Sequence, residues 1–336
     1  MEMFWINKIK QKGLPSLLLK ALVFLFILFV LDFVIGTILA NLYSKQKPGE
    51  IYRTTYSLDS TKADVLIFGA SRANHHYVPE IFEKRLNLSC YNTGRDGQII
   101  FYNYAVLKSV LKRYSPKIVI LDFSRNEFEV ERQSYDRLSA LIPYYKTHPE
   151  IRHIIDLRSP FEKYKLVSKI YPYNSLIFTI FMGATFSHEE RKHVNEQNGY
   201  IPLTKSCYTR LTVDTSYGTS LLDSNKINAF KSFVKDCRNA NVKLFVVLSP
   251  LLIKYLHGDP SVNVAMKIAK KYNVPVFSFI NDPLFHNHLL FADDGTHLND
   301  RGAKIFTNQV IDSMIKNQGG NISRQNLVDK QNISKN

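Results

Sequence analysis

The sequence predicts an α/β fold in which helices cover both faces of a parallel β-sheet. Two observations support this prediction: short, unbroken apolar runs typical of buried parallel strands, and helix-like segments that alternate with them along the chain. The candidate strands are 64–69, 88–92, 117–122, 242–248 and 274–279. The candidate helices are 79–86, 99–114, 224–240, 262–272 and 299–316. In such folds the functional side chains lie at the carboxyl ends of the strands.

The first element along the chain is an apolar segment of twenty residues, Ala21 to Ala40, which is long enough to cross a bilayer core. Lys8, Lys10, Lys12 and Lys20 flank it on one side, opposed only by Glu2, whereas Lys45, Lys47 and Arg53 follow alongside Glu50. This modest bias favours a cytoplasmic N-terminus. We therefore expect residues 1–16 in the cytoplasm and an uncleaved transmembrane anchor at 17–43. The chain after the anchor would lie outside the cytoplasm. Asp32 lies inside the span, where a carboxyl group is costly. It is either a contact for a membrane partner or a single carboxyl group that is protonated or reaches water through local thinning of the bilayer.

Four regions are expected after the anchor. Residues 44–61 are interpreted as a linker because the stretch from Ser44 to Gly49 is polar. The α/β domain is expected at 62–316, and its alternation is interrupted by an insertion at about 130–220 that is rich in tyrosine, histidine and proline. The tyrosines either stack on sugar rings or pack a small core of the insertion itself. The polar residues 317–336 are expected to be a disordered tail.

Composition restricts the possible functions. The chain has 336 residues, is 45% hydrophobic and carries a formal net charge of +15. Its lysines and arginines are dispersed and match no nucleic-acid-binding motif, so we expect no nucleic-acid partner. Attraction to anionic lipid headgroups or acidic glycans suits an anchored protein better, although a basic solvated surface explains the charge equally simply. Three scattered cysteines do not form a disulfide framework.

Two distant stretches have the residue types of a serine acyl-transfer site. Ser71 follows the first predicted strand directly, and Gly69 and Ala70 are small enough to allow a sharp turn before it. Asp294 and His297 are three residues apart, so that one turn brings both side chains to the same face. A carboxylate that orients a histidine, which in turn activates a serine, is the arrangement of a Ser-His-Asp triad. We therefore predict these three residues to be catalytic.

These motifs resemble the blocks of the SGNH/GDSL hydrolase superfamily. Gly69-Ala70-Ser71 resembles the serine block, Asn92-Thr93-Gly94 the second block, and the stretch from Asp294 to Asn299 the last block. The resemblance implies a three-layer, flavodoxin-like sheet of the SGNH hydrolase type. It also implies an oxyanion hole built from the Ser71 and Gly94 amides, with Asn92 beside them.

The third block of the superfamily, Gly-x-Asn-Asp, is altered in this chain. The matching strand ends Leu121-Asp122-Phe123-Ser124-Arg125-Asn126-Glu127, so Asn126 or Arg125 is the candidate for the missing oxyanion donor. The resemblance is nearest to the membrane-anchored branch that acylates or deacylates surface polysaccharides.

Several other residues admit two interpretations. His286 and His288, followed by Asp293, Asp294 and His297, invite a metal site, but their spacing matches no zinc motif, and we expect neither a metal nor a cofactor.

Three polar residues near the predicted strand ends are also ambiguous. Arg72 is a candidate for binding a carboxylate or phosphate of the substrate, or for a salt bridge that supports the turn. His75 either lines the cleft or lies at the surface. Asp122 is expected to order a loop rather than to exchange protons.

The sequence thus predicts a membrane-anchored, extracytoplasmic O-acyltransferase or esterase that acts on a cell-surface glycan or another acylated substrate. A transferase would need a multi-span membrane protein to deliver the acyl group, because activated acyl donors are cytoplasmic. Two alternatives stay open at this point. One is a catalytically inactive glycan-binding or scaffold protein, which the altered third block would suit, and the other is a lysophospholipase-like lipid esterase.

Overall fold

A computed structural model of the chain describes residues 2–47, 49–185, 197–216, 218 and 221–317. The tail that was predicted to be disordered lies outside the described residues from position 318 onward. Two compact units are formed: one by Met1–Lys47 with Ser159–Ser187, the other by Pro48–Arg158 with His188–Asn336. The predicted insertion at 130–220 is therefore divided between both units.

The second unit is built on a five-stranded parallel sheet with the order β2-β1-β3-β5-β7. This is the strand order of the flavodoxin-like fold, in which ligands bind at the carboxyl ends of the strands. The predicted fold class is thereby confirmed. The strands are β1 (Val65–Phe68), β2 (Cys90–Asn92), β3 (Ile118–Asp122), β5 (Lys243–Leu248) and β7 (Val276–Ser278). A separate pair is formed by β4 (Thr212–Asp214) and β6 (Ile253–Tyr255).

Helices cover both faces of this sheet, as alternation along the strands requires. On one face, Val65 and Ile67 of β1 belong to a core cluster that also contains Phe306. On the other face, the ring of Phe68 meets Phe233 edge to face at 5.4 Å. The helices of this unit are α2 (Glu50–Asp59), α3 (Ser71–His76), α4 (Pro79–Leu86), α5 (Ile100–Arg113), α6 (Arg132–Asp136), α7 (Arg152–Ile155), α10 (Ser224–Asn239), α11 (Pro260–Lys271) and α12 (Asp300–Asn317).

The first unit is built on the long helix α1 (Glu2–Ser44). Its part from Pro15 to Ser44 contains an 18-residue stretch with a mean hydropathy of 2.9 and is long and apolar enough to cross a membrane. Two short helices of the same unit, α8 (Glu162–Lys165) and α9 (Ile177–Thr185), come from the predicted insertion. The Leu176–Ala184 run, which is too short for a second span, largely coincides with α9.

The stretch from 44 to 61, which was interpreted as a linker, contains the helix α2. Ile51, Thr54 and Leu58 of this helix are buried and share one face, and the helix contacts α5. The stripe is hard to recognise in the sequence because a threonine occupies one of its three positions. Arg53, which a solvated linker would expose, is buried as well.

Helix α2 should stabilise the α/β unit through Leu58, whose side chain is completely buried. We expect Leu58→Ala to lower the free energy of unfolding by about 2–5 kcal/mol, since it leaves a cavity between α2 and its neighbours. Chemical denaturation in detergent, followed by circular dichroism, measures the change. The matched control is Leu256→Ala, at a side chain that is 53% exposed, and it should change the stability by no more than about 0.5 kcal/mol. Equal effects of both variants would show that α2 does not contribute to the free energy of unfolding.

Candidate active site

Ser71 lies where β1 ends and α3 begins, at the carboxyl edge of the sheet. The turn requires a glycine at position 69, because its φ is 150° and a Cβ there would lie 2.9 Å from the Cβ of Asp122. As the first residue of α3, Ser71 has a backbone N–H that the helix itself leaves without a partner. The predicted strand-to-helix turn is therefore present, and it leaves the serine partly exposed.

The structure brings Ser71, His297 and Asp294 into one hydrogen-bonded chain. The Nε2 atom of His297 lies 2.7 Å from the Oγ of Ser71, and its Nδ1 atom lies 2.6 Å from Oδ2 of Asp294. The first two residues are 226 positions apart in the sequence. A neutral imidazole with its proton on Nδ1 would donate to the carboxylate and accept from the serine hydroxyl. The three side chains therefore have the contacts that a nucleophile, a base and an orienting carboxylate need.

Asp294 is held in place by its own turn. Its Oδ1 atom accepts hydrogen bonds from the backbone N–H groups of Thr296 at 2.8 Å and His297 at 2.9 Å. Burial alone would raise the pKa of Asp294, but the hydrogen bonds from His297 and Thr296 outweigh it and lower the pKa overall. The carboxylate is thus kept ionised next to the imidazole, and its partial exposure to water favours the same form.

A second histidine fixes the position of the loop that carries His297. His76 is completely buried in α3, and its Nε2 atom accepts the backbone N–H of Leu298 at 3.0 Å. Burial is the main cause that lowers its pKa well below the usual value, and the nearby His297 and Arg72 add to it. The neutral ring is the form that can accept this bond. The chain segment after β1 therefore positions the histidine that is predicted to activate Ser71.

The structure places Asn92 differently from its predicted role beside an oxyanion. Its side chain is fully buried and donates from Nδ2 to the carbonyl oxygens of Ala73 at 2.7 Å and Tyr77 at 3.2 Å. Its Oδ1 atom accepts the N–H of Gly94 at 2.9 Å. The predicted role of Asn92 beside the oxyanion stays a prediction, and in the structure the residue ties the end of β2 to α3. The N–H of Gly94 is occupied by this bond, so its predicted pairing with the Ser71 amide is not seen.

Neither candidate for the third oxyanion donor is hydrogen-bonded to Ser71 or His297 in the described part of the chain. Asn126 lies exposed in a left-handed turn with a φ of 59°, and its backbone N–H donates to Oδ2 of Asp259 at 3.0 Å. The guanidinium of Arg125 lies over the ring of Tyr255, 3.7 Å from its centroid. Both residues have structural contacts that the sequence motif did not indicate.

Arg72, the residue after the serine, forms an ion pair with Asp122 at the end of β3. The Nε atom of Arg72 lies 3.8 Å from Oδ1 of Asp122, and Oδ2 accepts hydrogen bonds from Tyr77 and Ser249. Burial raises the pKa of Asp122, while Arg72 and the two hydroxyl groups oppose this effect. Of the two interpretations of Arg72, the geometry favours the salt bridge that supports the turn.

A polar network next to His297 was not recognised from the sequence. His75 is mostly buried, with its ring centroid 5.2 Å from that of His297 and its Nδ1 atom 2.8 Å from the carbonyl oxygen of Ile201. Its Nε2 atom lies 3.4 Å from Asp96, which also accepts from Asn74 at 2.7 Å. Burial would raise the pKa of Asp96, but the bonds from His75 and Asn74 outweigh it and lower the pKa to about 2.

Asn74 in turn accepts from Arg53 of α2 at 2.6 Å, which connects the network to the unexpected helix. No motif signals either Arg53 or Asp96, since each is one charged residue among many.

The rival interpretation of a metal site has no support among the described residues. No group of three or more histidine, cysteine, aspartate or glutamate side chains is arranged there to hold a metal ion. Asp294 and His297 contact each other and Ser71 instead.

Comparisons with known proteins leave the family open. No model of a known protein family matches the sequence, and no curated protein matches it either. A similar solved structure is the psychrotrophic esterase EstA from Pseudoalteromonas sp., in a crystal structure inhibited by monoethylphosphonate. The match has a TM-score of 0.40 and 11% sequence identity, and it covers 76% of this chain and 98% of that chain. Similarity this low does not transfer an activity, so the site geometry has to support one by itself.

The buried neutral His76 should make the stability of the protein depend on pH. Because its pKa is lowered in the folded state, the unfolded chain binds more protons below its ordinary value of 6.5, and stability falls as the pH decreases from there. The slope from this one group is at most about 1.4 kcal/mol per pH unit. We expect His76→Gln, which keeps a hydrogen-bond acceptor but does not titrate, to reduce this slope. Denaturation of both proteins at several pH values between about 5.5 and 7.5 measures it, where ordinary carboxyl groups are already ionised. An unchanged slope would mean that His76 is not the group responsible.

Proposed function

We propose that the protein is a membrane-anchored, extracytoplasmic serine acyl-transfer enzyme, an O-acyltransferase or esterase, that acts on a cell-surface glycan. The observation that carries this proposal is the chain of hydrogen bonds from Ser71 through His297 to Asp294, at 2.7 Å and 2.6 Å. Nucleophile and base are within the distance at which a proton can be transferred between them. The glycan substrate is proposed from the resemblance of the sequence motifs.

In the proposed mechanism, Ser71 Oγ attacks the acyl carbonyl carbon while its proton passes to Nε2 of His297. Asp294 accepts the Nδ1–H throughout, and its negative charge stabilises the imidazolium that forms. The Ser71 amide is a donor for the developing oxyanion. Collapse of the tetrahedral intermediate breaks the bond to the leaving alcohol, which takes the proton from His297. An acyl-serine remains.

The second half-reaction distinguishes an esterase from a transferase. His297 removes a proton from the incoming hydroxyl, whose oxygen attacks the acyl-serine, and Ser71 leaves with the proton returned from His297. Water as the attacking group gives hydrolysis, whereas a sugar hydroxyl gives a new ester. In the transferase case a multi-span membrane protein would supply the acyl group from the cytoplasmic side.

Ser71→Ala should abolish covalent chemistry. We expect the unmodified protein to react with a fluorophosphonate probe and to hydrolyse a p-nitrophenyl acyl ester, because the probe reports only activated serines. The variant should remain unlabelled and lose about 10³-fold or more in kcat/KM. The matched control is Ser216→Ala, at an exposed serine outside the site, which should leave both signals intact. A protein that is folded but unlabelled would instead identify an inactive glycan-binding or scaffold protein.

The proposed orientation predicts on which side of the membrane the C-terminus lies. The lysines at positions 8, 10, 12 and 20 precede most of the apolar helix, so we expect the chain after α1 to be translocated. Alkaline phosphatase fused to the C-terminus should be active in intact cells, and a fluorescent protein that matures only in the cytoplasm should be dark. The reverse pattern would place Ser71 in the cytoplasm, away from surface glycans, and would contradict the proposal.

A further inference from the structure

The first unit contains an explanation for the carboxyl group inside the apolar helix. Asp32 accepts hydrogen bonds from the Ser168 hydroxyl at 2.5 Å and from the backbone N–H groups of Lys169 at 2.7 Å and Ile170 at 3.3 Å. The sequence had suggested a separate membrane protein as the partner of Asp32. In the structure, residues 168–170 of the same chain are the hydrogen-bond partners of Asp32.

Close packing continues from Asp32 towards the end of α1 nearest Lys47. Gly36, Leu39 and Tyr43 are spaced by three or four residues and are buried on one face of the helix, and Gln46, just beyond its end, is buried as well. A Cβ at Gly36 would overlap Lys169, which requires a glycine at this contact. The side chain of Gln46 donates from Nε2 to the carbonyl oxygen of Ile180 at 3.1 Å. The chain from 168 to 180 thus runs along α1 from the level of Asp32 to the level of Gln46.

Helix geometry places this contact at a defined depth. A bilayer core of about 30 Å takes about 20 helical residues, which the apolar run from Ala21 to Ala40 supplies. Asp32 then lies about 12 Å inside the boundary at Ala40, on the side of the midplane nearer to Lys47. The backbone N–H groups of Lys169 and Ile170 would be at the same depth, where each needs a partner. The carboxylate of Asp32 supplies the acceptor for both.

The segment that packs against α1, residues 159–185, exposes large apolar side chains on the side that does not face α1. The large side chains that it leaves 44–76% exposed are Phe161, Tyr164, Val167, Ile177, Phe178 and Phe181. Residues of α1 at the same level are similarly exposed, including Phe33 at 47% and Ile38 at 53%. Exposed apolar side chains therefore continue from the membrane helix onto the segment, where Lys163 and Lys165 are exposed among them.

Charged groups of the segment are arranged in a way that is compatible with lipid. Glu162 is completely buried and accepts from Lys165 at 3.1 Å and from the Tyr171 hydroxyl at 2.8 Å. The ammonium of Lys169 lies 3.5 Å from the centroid of the Phe33 ring and 3.5 Å from the Thr37 hydroxyl, which is one turn nearer to Lys47. Long basic side chains of this kind extend to the headgroup level of a bilayer.

From these contacts we propose that residues 159–185 form a re-entrant segment that dips into the leaflet nearer to Lys47, with Asp32 as the acceptor that satisfies its turn. The proposal rests on the membrane anchoring proposed above and adds a second membrane contact to it. The occupant of the apolar surface is lipid. The protein is thus held in the membrane by a helix and a re-entrant segment that share one buried polar contact.

Depth-dependent fluorescence quenching of the full-length protein in phosphatidylcholine vesicles tests the proposal. A bimane label on Phe178→Cys should be quenched by doxyl-labelled lipid and protected from aqueous iodide. The same label on Tyr208→Cys, a residue of the second unit that is 94% exposed, should show the reverse. The three native cysteines are buried, which directs the label to the introduced thiol.

A third label distinguishes the re-entrant segment from the membrane anchoring by α1, on which it rests. Phe26→Cys lies in α1 at a side chain that is 66% exposed, and doxyl lipid should quench its label if the helix is in the membrane. Quenching at Phe26 but not at Phe178 would overturn the re-entrant segment and leave the anchoring intact. Lack of quenching at both positions would overturn both. A Phe178 label that is shielded from iodide and from doxyl lipid alike would indicate a protein on this surface, and would equally overturn the proposal.

The role of Asp32 has its own pair of variants in the Phe178→Cys background. Asp32→Leu removes the acceptor from the turn at Ser168 to Ile170, so we expect quenching by doxyl lipid to be largely lost and iodide access to increase. Asp32→Asn keeps one carbonyl oxygen at the same place and should retain most of the quenching. Identical quenching in all three proteins would show that Asp32 does not hold the segment.

Discussion

The contact on which the candidate site depends is the pair of hydrogen bonds made by one imidazole ring. His297 bonds to a serine that follows the first strand of the sheet and to an aspartate of its own turn. Ser71 near the start of the α/β unit and His297 near its end must therefore be positioned relative to each other to within a fraction of an ångström. The parallel sheet makes this possible, because the carboxyl ends of its strands lie along one edge whatever their distance in sequence.

Neighbouring polar side chains hold Ser71 and His297 in this relative position. His76 accepts the N–H of Leu298, and Asn92 joins the end of β2 to α3 through bonds to Ala73 and Tyr77. Both side chains are buried, so each would be costly without its partners. Since these hydrogen bonds form only in one arrangement of α3, β2 and the histidine loop, they favour a single geometry of the site.

The sequence predicted the elements whose signal is local. The five strands of the main sheet and the five helices predicted between and after them were found within two residues, because unbroken apolar runs and amphipathic stripes are visible in short windows. Ser71, Asp294 and His297 were recognised because their residue types fit a known arrangement, and the structure brings them together. Their catalytic role remains a prediction that the proposed labelling experiment addresses.

What the sequence missed depends on partners that are distant in the chain. Helix α2 is stabilised by burial against α5, and its stripe is incomplete without that neighbour. The amide of Asn92 was assigned to the substrate because a motif shows residue types but not which neighbour takes each hydrogen bond. For the same reason, Asp32 in an apolar run suggested a foreign partner. Only the folded chain reveals that its acceptors are used by Ser168, Lys169 and Ile170, more than 130 positions away. A costly buried charge is thus a sign that a partner exists, while the identity of the partner has to come from the structure.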